Sequence, residues 1–215
     1  SDPYFGKKIA GGRYVSGEGS YIEHIGNHYY LFMSYGGLEP NGGYEMRVFR
    51  SSRPDGPYKD MNGTDAIFTS WKLNYGPNAD NRGEKLLGAY NHWGFMNVGE
   101  RAQGHNSVLA AEDGRTYLVY HTKFNDGTAG HQVRVHQLFL NRSGWPVAAP
   151  FEFHGETTGD RQIASSQRFD SKEVAGRYHV LTHPYGQNHA AYEEAAPTEI
   201  LLREDGKVEG AYSGT

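Results

Sequence analysis

GEGSYIEHIGNHYYLFMSYGGL (residues 17–38) and QGHNSVLAAEDGRTYLVYHT (residues 103–122) are one unit written twice. With Glu18 laid over His105, an offset of 87 residues, the two stretches stay in step without a gap. Tyr30 and Leu31 fall on Tyr117 and Leu118, Arg47 and Val48 fall on Arg134 and Val135, and Tyr58 falls on Trp145. Internal repetition of this kind is the first thing to look for, because it decides the architecture.

Working outward, each unit reads as four short strands. The first has an inner strand near Tyr21 to His24, a turn over residues 25–28, the aromatic strand HYYLFMSY, and the glycine-rich loop GGLEPNGG. The third strand, YEMRVFRSS, alternates apolar and polar residues, and the turn RPDGP leads to an edge strand near Tyr58. The second unit repeats the order with SVLAA, TYLVYHT, HQVRVHQLFL and WPV. Four antiparallel strands per repeat with a glycine-bearing middle loop is a propeller-blade pattern; a β-sandwich made from a duplicated sheet is the competing architecture. Residues 61–100 read as a long polar loop between the units. Its aromatics, Trp71, Tyr75, Tyr90, Trp93 and Phe95, either line a substrate groove or pin the loop to the scaffold. After Pro150 the pattern changes. Residues 155–170 are polar, then AGRYHVLTH and PTEILLRED with GKVEGAYSG read as strands of another β-unit, with a hairpin at Asp205 and Gly206. Two blades cannot close a propeller, so the stretch reads as part of a larger protein. Residues 1–155 are then later blades, and residues 156–215 begin a C-terminal β-domain.

Composition removes several function classes. The formal net charge is −4, with no basic stripe for nucleic acid and no polybasic cluster for an anionic membrane. The apolar runs are far shorter than a bilayer span, and no charged segment followed by an apolar one opens the sequence as a secretory signal would. With no cysteine, disulfides, thiolate catalysis and cysteine-ligated zinc are all excluded. The 29 glycines and 16 tyrosines point to many turns and to flat surfaces of the kind that stack on sugars or simply pack sheets.

The first strand of each blade lines the channel of a propeller, and the repeat puts Glu18 and His105 at its start in both units. Gly17 and Gly19 flank the glutamate, and Gly104 and Asn106 flank the histidine. A carboxylate held between two glycines at the mouth of an inner strand, matched by a histidine one unit on, is a candidate site. His121, His131 and His136 lack a compact metal-binding spacing, which argues against zinc. Arg47 and Arg134 hold matched positions. Each is either a structural partner of a neighbouring blade or, for Arg134, a contact to substrate.

The stretches GEGSYIEHIGNHYYLFMSYGGL, NGGYEMRVFRS, QGHNSV and HQVRVHQLFLNRSGWPVAAPFEF resemble the family 43 endo-1,5-α-L-arabinanases, nearest the two-domain group with a C-terminal β-barrel. The resemblance implies a five-bladed β-propeller that cleaves arabinan with inversion and is secreted or displayed at a bacterial surface. Arabinan and arabino-oligosaccharides are the implied partners, with the earlier blades of the same protein. EGSYI matches the family's Glu-Gly-Pro-Tyr-Ile pattern, with Ser20 in place of proline, which makes Glu18 the general acid. QGHNS makes His105 the channel histidine that helps hold a calcium ion, largely through water. Tyr35, Gly37, Asn106 and Arg134 are the expected substrate contacts. Two aspartates complete the family's machinery, a base and a partner of the acid, and neither is found in these residues. Asp2, in an Asp-Pro pair, belongs to a linker and is not that base. Two further functions stay open: a propeller that binds polysaccharide without cutting it, and a family 43 arabinofuranosidase or xylosidase.

Overall fold

The computed structural model describes residues 2–13, 15–70, 82–93, 96–155, 169–183 and 195–214. Among these it is all-β, with three antiparallel sheets and no helix. The first sheet runs in consecutive order from β1 (Glu18–Ile25) through β2 (His28–Tyr35) and β3 (Glu45–Ser51) to β4 (Glu84–Leu87). The second repeats that order with β5 (Glu100–Ala110), β6 (Thr116–Phe124), β7 (Gln132–Leu140) and β8 (Pro146–Ala148). The third, ordered β11-β10-β9, consists of β9 (Gly176–Val180), β10 (Thr198–Leu202) and β11 (Val208–Gly210).

The period of two along β2 explains how the first two sheets meet. Tyr30 and Phe32 face the second sheet and join Met46, Val48, Val108, Leu118, Tyr120 and Leu138 in one core. Leu31, Met33 and Tyr35 face the other way and pack with Phe49, Tyr58 and Ala66. The first sheet is therefore buried on both faces, and each of these fully buried side chains contributes about 1.5–3 kcal/mol. Polar latches add register. The Tyr30 hydroxyl donates to Gly144 O at 2.5 Å, Arg50 donates to Ser143 O at 2.7 Å, and Tyr21 donates to Val108 O at 2.9 Å.

The fourth strand of the first unit is not at Tyr58. Lys59 makes isolated bridges to Arg50 and Asp65, and the ladder is completed by Glu84–Leu87 pairing with Met46–Val48. Asp60 is the reason. Its Oδ1 accepts the amides of Asn62 and Thr64, which turns the chain out of the sheet, and its Oδ2 accepts the Gly83 amide where the chain returns. The segment 61–100 is thus not one loop. Tyr90 is buried, and Trp93 sits edge-on to it and against Phe151, so both pin the segment to the scaffold. Trp71, Tyr75 and Phe95 lie outside the described residues.

The alternation of β3 also has a different meaning from surface and core. Glu45 and Arg47 are 3% and 1% exposed. Arg47 pairs with Glu45 and donates to Gly83 O, while Lys85 reaches the other Glu45 oxygen at 2.6 Å. Glu45, Arg47 and Lys85 thus form a buried ion cluster on one face of β3 and β4.

The third sheet follows the expected strands, and its hairpin closes at Gly206, whose amide donates to Arg203 O. Just before β10, Ala195 makes an isolated bridge to Tyr90, in the segment between β4 and β5.

Candidate active site

Glu18 opens the inner strand β1, whereas His105 stands midway along β5 and not at its start, because β5 begins five residues earlier at Glu100; both lie in irregular stretches of the ladder. The pairing slips between Glu18 and Tyr21 in one unit, and between Arg101, Gly104 and Ser107 in the other. Such bulges turn a side chain off the regular pleat. His105 has φ 50°, a left-handed conformation that a non-glycine residue adopts at some cost and that collects at functional sites. Gly19, at φ 58°, lets the start of β1 touch the middle of β5: a Cβ there would lie 2.8 Å from the His105 Cα. The result is a carboxylate and an imidazole side by side, with Oε1 of Glu18 3.8 Å from Nδ1 of His105. Both side chains are about half exposed, at 55% and 56%, so they face solvent and not the interior of a sheet.

Behind this pair lie two buried hydrogen bonds. The His105 amide donates to Ser34 Oγ at 2.7 Å. Tyr44 donates to Glu18 Oε1 at 2.6 Å. Ser34 and Tyr44 are 0% and 4% exposed. Burial first, and then the hydrogen bond to Glu18, push the Tyr44 phenol well above its ordinary pKa. Tyr44 therefore keeps its proton and acts as a donor. Its ring stacks on His121, with centroids 5.6 Å apart. Burial, then the neighbouring His131 and His105, push the His121 imidazole down to about 4, so it is neutral at ordinary pH. Gly104 makes room for Tyr44, since a Cβ there would lie 2.5 Å from its ring.

Of the expected site residues, Glu18 and His105 come together and four others do not join them at the surface. Tyr35 is 5% exposed and packs in the core, its ring close under Gly17, so no sugar reaches it. Gly37 closes the neck of the glycine-rich loop, donating its amide to Gly42 O. Asn106 is 5% exposed, turned inward, with no partner for its amide among the described residues. Arg134 lies between Glu100 and Glu152, at 3.5 and 3.4 Å, with its guanidinium over Phe124; its partners are on its own sheet and the segment just after it. Of the histidines, His121 and His131 adjoin, whereas His136 is elsewhere, bonded to Tyr120 and Ala149 O. Asp2 caps a turn through the amides of Tyr4 and Phe5.

Calcium takes six to eight oxygen ligands. Among the described residues no group of three or more ligating side chains comes together, and His105 offers one nitrogen beside one carboxylate. These residues alone do not make a calcium shell. Tyr44 and Ser34 are the site residues that motif reading misses. The repeat carried their signal: at the same offset of 87 residues, Ser34 and Tyr44 fall on His121 and His131, which line the same site from the second unit.

The family model for glycosyl hydrolases family 43 matches residues 6–146. The extracellular endo-α-(1→5)-L-arabinanase 2 of Bacillus subtilis is 38% identical over 98% of this chain and 44% of its own length. The solved family 43 YxiA protein from Bacillus licheniformis has 37% identity and a TM-score of 0.82, over 98% of this chain and 46% of that one. The endo-1,5-α-L-arabinanase from Thermotoga petrophila has 35% identity and a TM-score of 0.79, over 98% and 44%. The chain thus spans less than half the length of these relatives.

Proposed function

The chain belongs to glycosyl hydrolases family 43, and from that premise we propose that the whole protein hydrolyses α-1,5-linked L-arabinan with inversion, using Glu18 as the general acid. The observation that carries this reading is the Glu18 carboxyl itself: half exposed at the start of an inner strand, anchored by Tyr44, and beside His105 at the matched position of the next unit. A general acid must reach the glycosidic oxygen while its position is fixed, and this carboxyl has both properties. Protonating that oxygen lets the C1–O bond break with its electron pair going to the departing sugar. A water adds to C1 from the opposite face, and its proton goes to a second carboxylate some 6.5–9.5 Å across the sugar. We assign that base, and the aspartate that partners the acid, to parts of the protein outside these residues.

The same reading makes the first two sheets two blades of a five-bladed propeller and the third sheet the start of a C-terminal β-domain, with the division near residue 155. Leu109 and Val133, 57% and 65% exposed, share one face of the second sheet in the observed register, which suits the packing of a further blade. Relatives named as extracellular support an exported enzyme. The resemblance further implies calcium at His105, held largely through water.

The test is incubation of the whole protein with debranched arabinan, with xylan in parallel. Arabino-oligosaccharides should appear, with the β-anomer first by proton NMR. Release of sugar from xylan alone, or the α-anomer first, contradicts the reading.

A further inference from the structure

We propose that Tyr44 is a positioning residue for the acid: by donating its hydroxyl to Oε1 of Glu18 it fixes the carboxyl and leaves Oε2 as the oxygen that carries and delivers the catalytic proton. This rests on the reading of Glu18 as the general acid.

The setting of the Tyr44 hydroxyl carries the argument. Tyr44 is buried, and its hydroxyl donates to Glu18 Oε1 at 2.6 Å. Its ring is held on His121, with centroids 5.6 Å apart, in the room that Gly104 leaves for it. Burial and the bond to Glu18 keep the phenol protonated, so Oε1 is the acceptor. When Glu18 is protonated, the hydrogen resides on Oε2. In the chemical step the Oε2–H bond breaks as the proton passes to the glycosidic oxygen and the C1–O electron pair moves onto that oxygen. Glu18 is left as a carboxylate whose new charge Tyr44 already meets with a hydrogen bond. The pair is held by two elements of the first unit: β1 carries the acid, and Tyr44 sits just before β3.

Two substrates distinguish this role from mere packing. Linear arabinan has a sugar leaving group that needs the proton; a dinitrophenyl arabino-oligosaccharide has one that hardly does. In the whole protein, Tyr44→Phe keeps the ring on His121 and deletes one oxygen. It should lose about 10–100-fold in kcat on arabinan, keep KM within about two-fold, and lose less than about three-fold on the dinitrophenyl substrate. Gly104→Ala, whose Cβ would press on the Tyr44 ring, should show the same dependence on leaving group, and it carries the test if Tyr44→Phe folds poorly. Equal losses on both substrates, or no loss on arabinan, overturn the positioning role. Glu18→Gln run alongside separates the two ideas: arabinan cleavage surviving in that variant sinks the acid assignment itself, whereas a dead Glu18→Gln with an indifferent Tyr44→Phe sinks only the role of Tyr44.

Discussion

Gly104→Ala adds one methyl group where the structure has no room. Gly104 is not in the left-handed region, so alanine introduces no backbone strain, and the effect comes from contact alone. The new Cβ would stand 2.5 Å from the Tyr44 ring and 2.8 Å from Ser34 Oγ. Restoring an ordinary carbon contact of about 3.5 Å requires Tyr44 to move by about 1 Å. A shift of that size along the bond would stretch the 2.6 Å hydrogen bond to Glu18 to about 3.6 Å, which is no longer one. Both buried neighbours are walled in, so overpacking should also cost about 1–3 kcal/mol of stability. Misplacement by about 1 Å near the reacting group is worth about 100-fold in rate. Initial rates on debranched arabinan, with urea unfolding measured on the same preparations, give both quantities. The double variant with Tyr44→Phe is decisive. If alanine acts by displacing Tyr44, the double variant loses little more than the worse single one. Rates that fall by the product of the two single losses would refute the mechanism, as would a Gly104→Ala enzyme of full activity.

Two further outcomes follow from the same packing. His121 has its pKa pushed down to about 4, so below its ordinary value the unfolded chain binds a proton that the folded protein resists. Stability should therefore be full above about pH 6.5 and fall as the pH drops toward 4, by about 1–2 kcal/mol after allowing for solvent screening. His121→Phe, which keeps the stack on Tyr44, should flatten that slope in urea unfolding at pH 7 and 4.5; an unchanged acid loss would contradict it. Tyr30→Phe removes the 2.5 Å bond to Gly144 O, but Arg50 still donates to the same oxygen at 3.2 Å. A loss of about 1 kcal/mol in urea unfolding is expected, and one above about 3 kcal/mol would mean that Arg50 gives no cover.

The strands and their order were legible because the 87-residue repeat preserves strand periodicity and turn chemistry in both units. Glu18 and His105 were legible for a related reason: small flanking residues at matched positions signal close approach, and Gly19 does touch His105. What failed to show did so for local physical causes. A single aspartate, Asp60, diverts the chain and moves the fourth strand of the first unit some 25 residues on. The alternation of β3 does not disclose its buried ion cluster, because a buried ion cluster and a solvent face share one polar pattern. Tyr35 directly precedes the glycine-rich loop, yet the period of two turns it into the core. Tyr44 and Ser34 are common residue types with no motif of their own, and only their register against His131 and His121 marks them.

The assignment of Glu18 as the proton donor is tested most directly by Glu18→Gln in the whole protein. The amide keeps the shape of the side chain and its ability to accept from Tyr44, and removes only the transferable proton. Initial rates on debranched arabinan should fall by about 10²–10⁴-fold with the urea midpoint unchanged. A variant that stays folded and cleaves arabinan within about three-fold of the wild-type rate would show that another residue donates the proton.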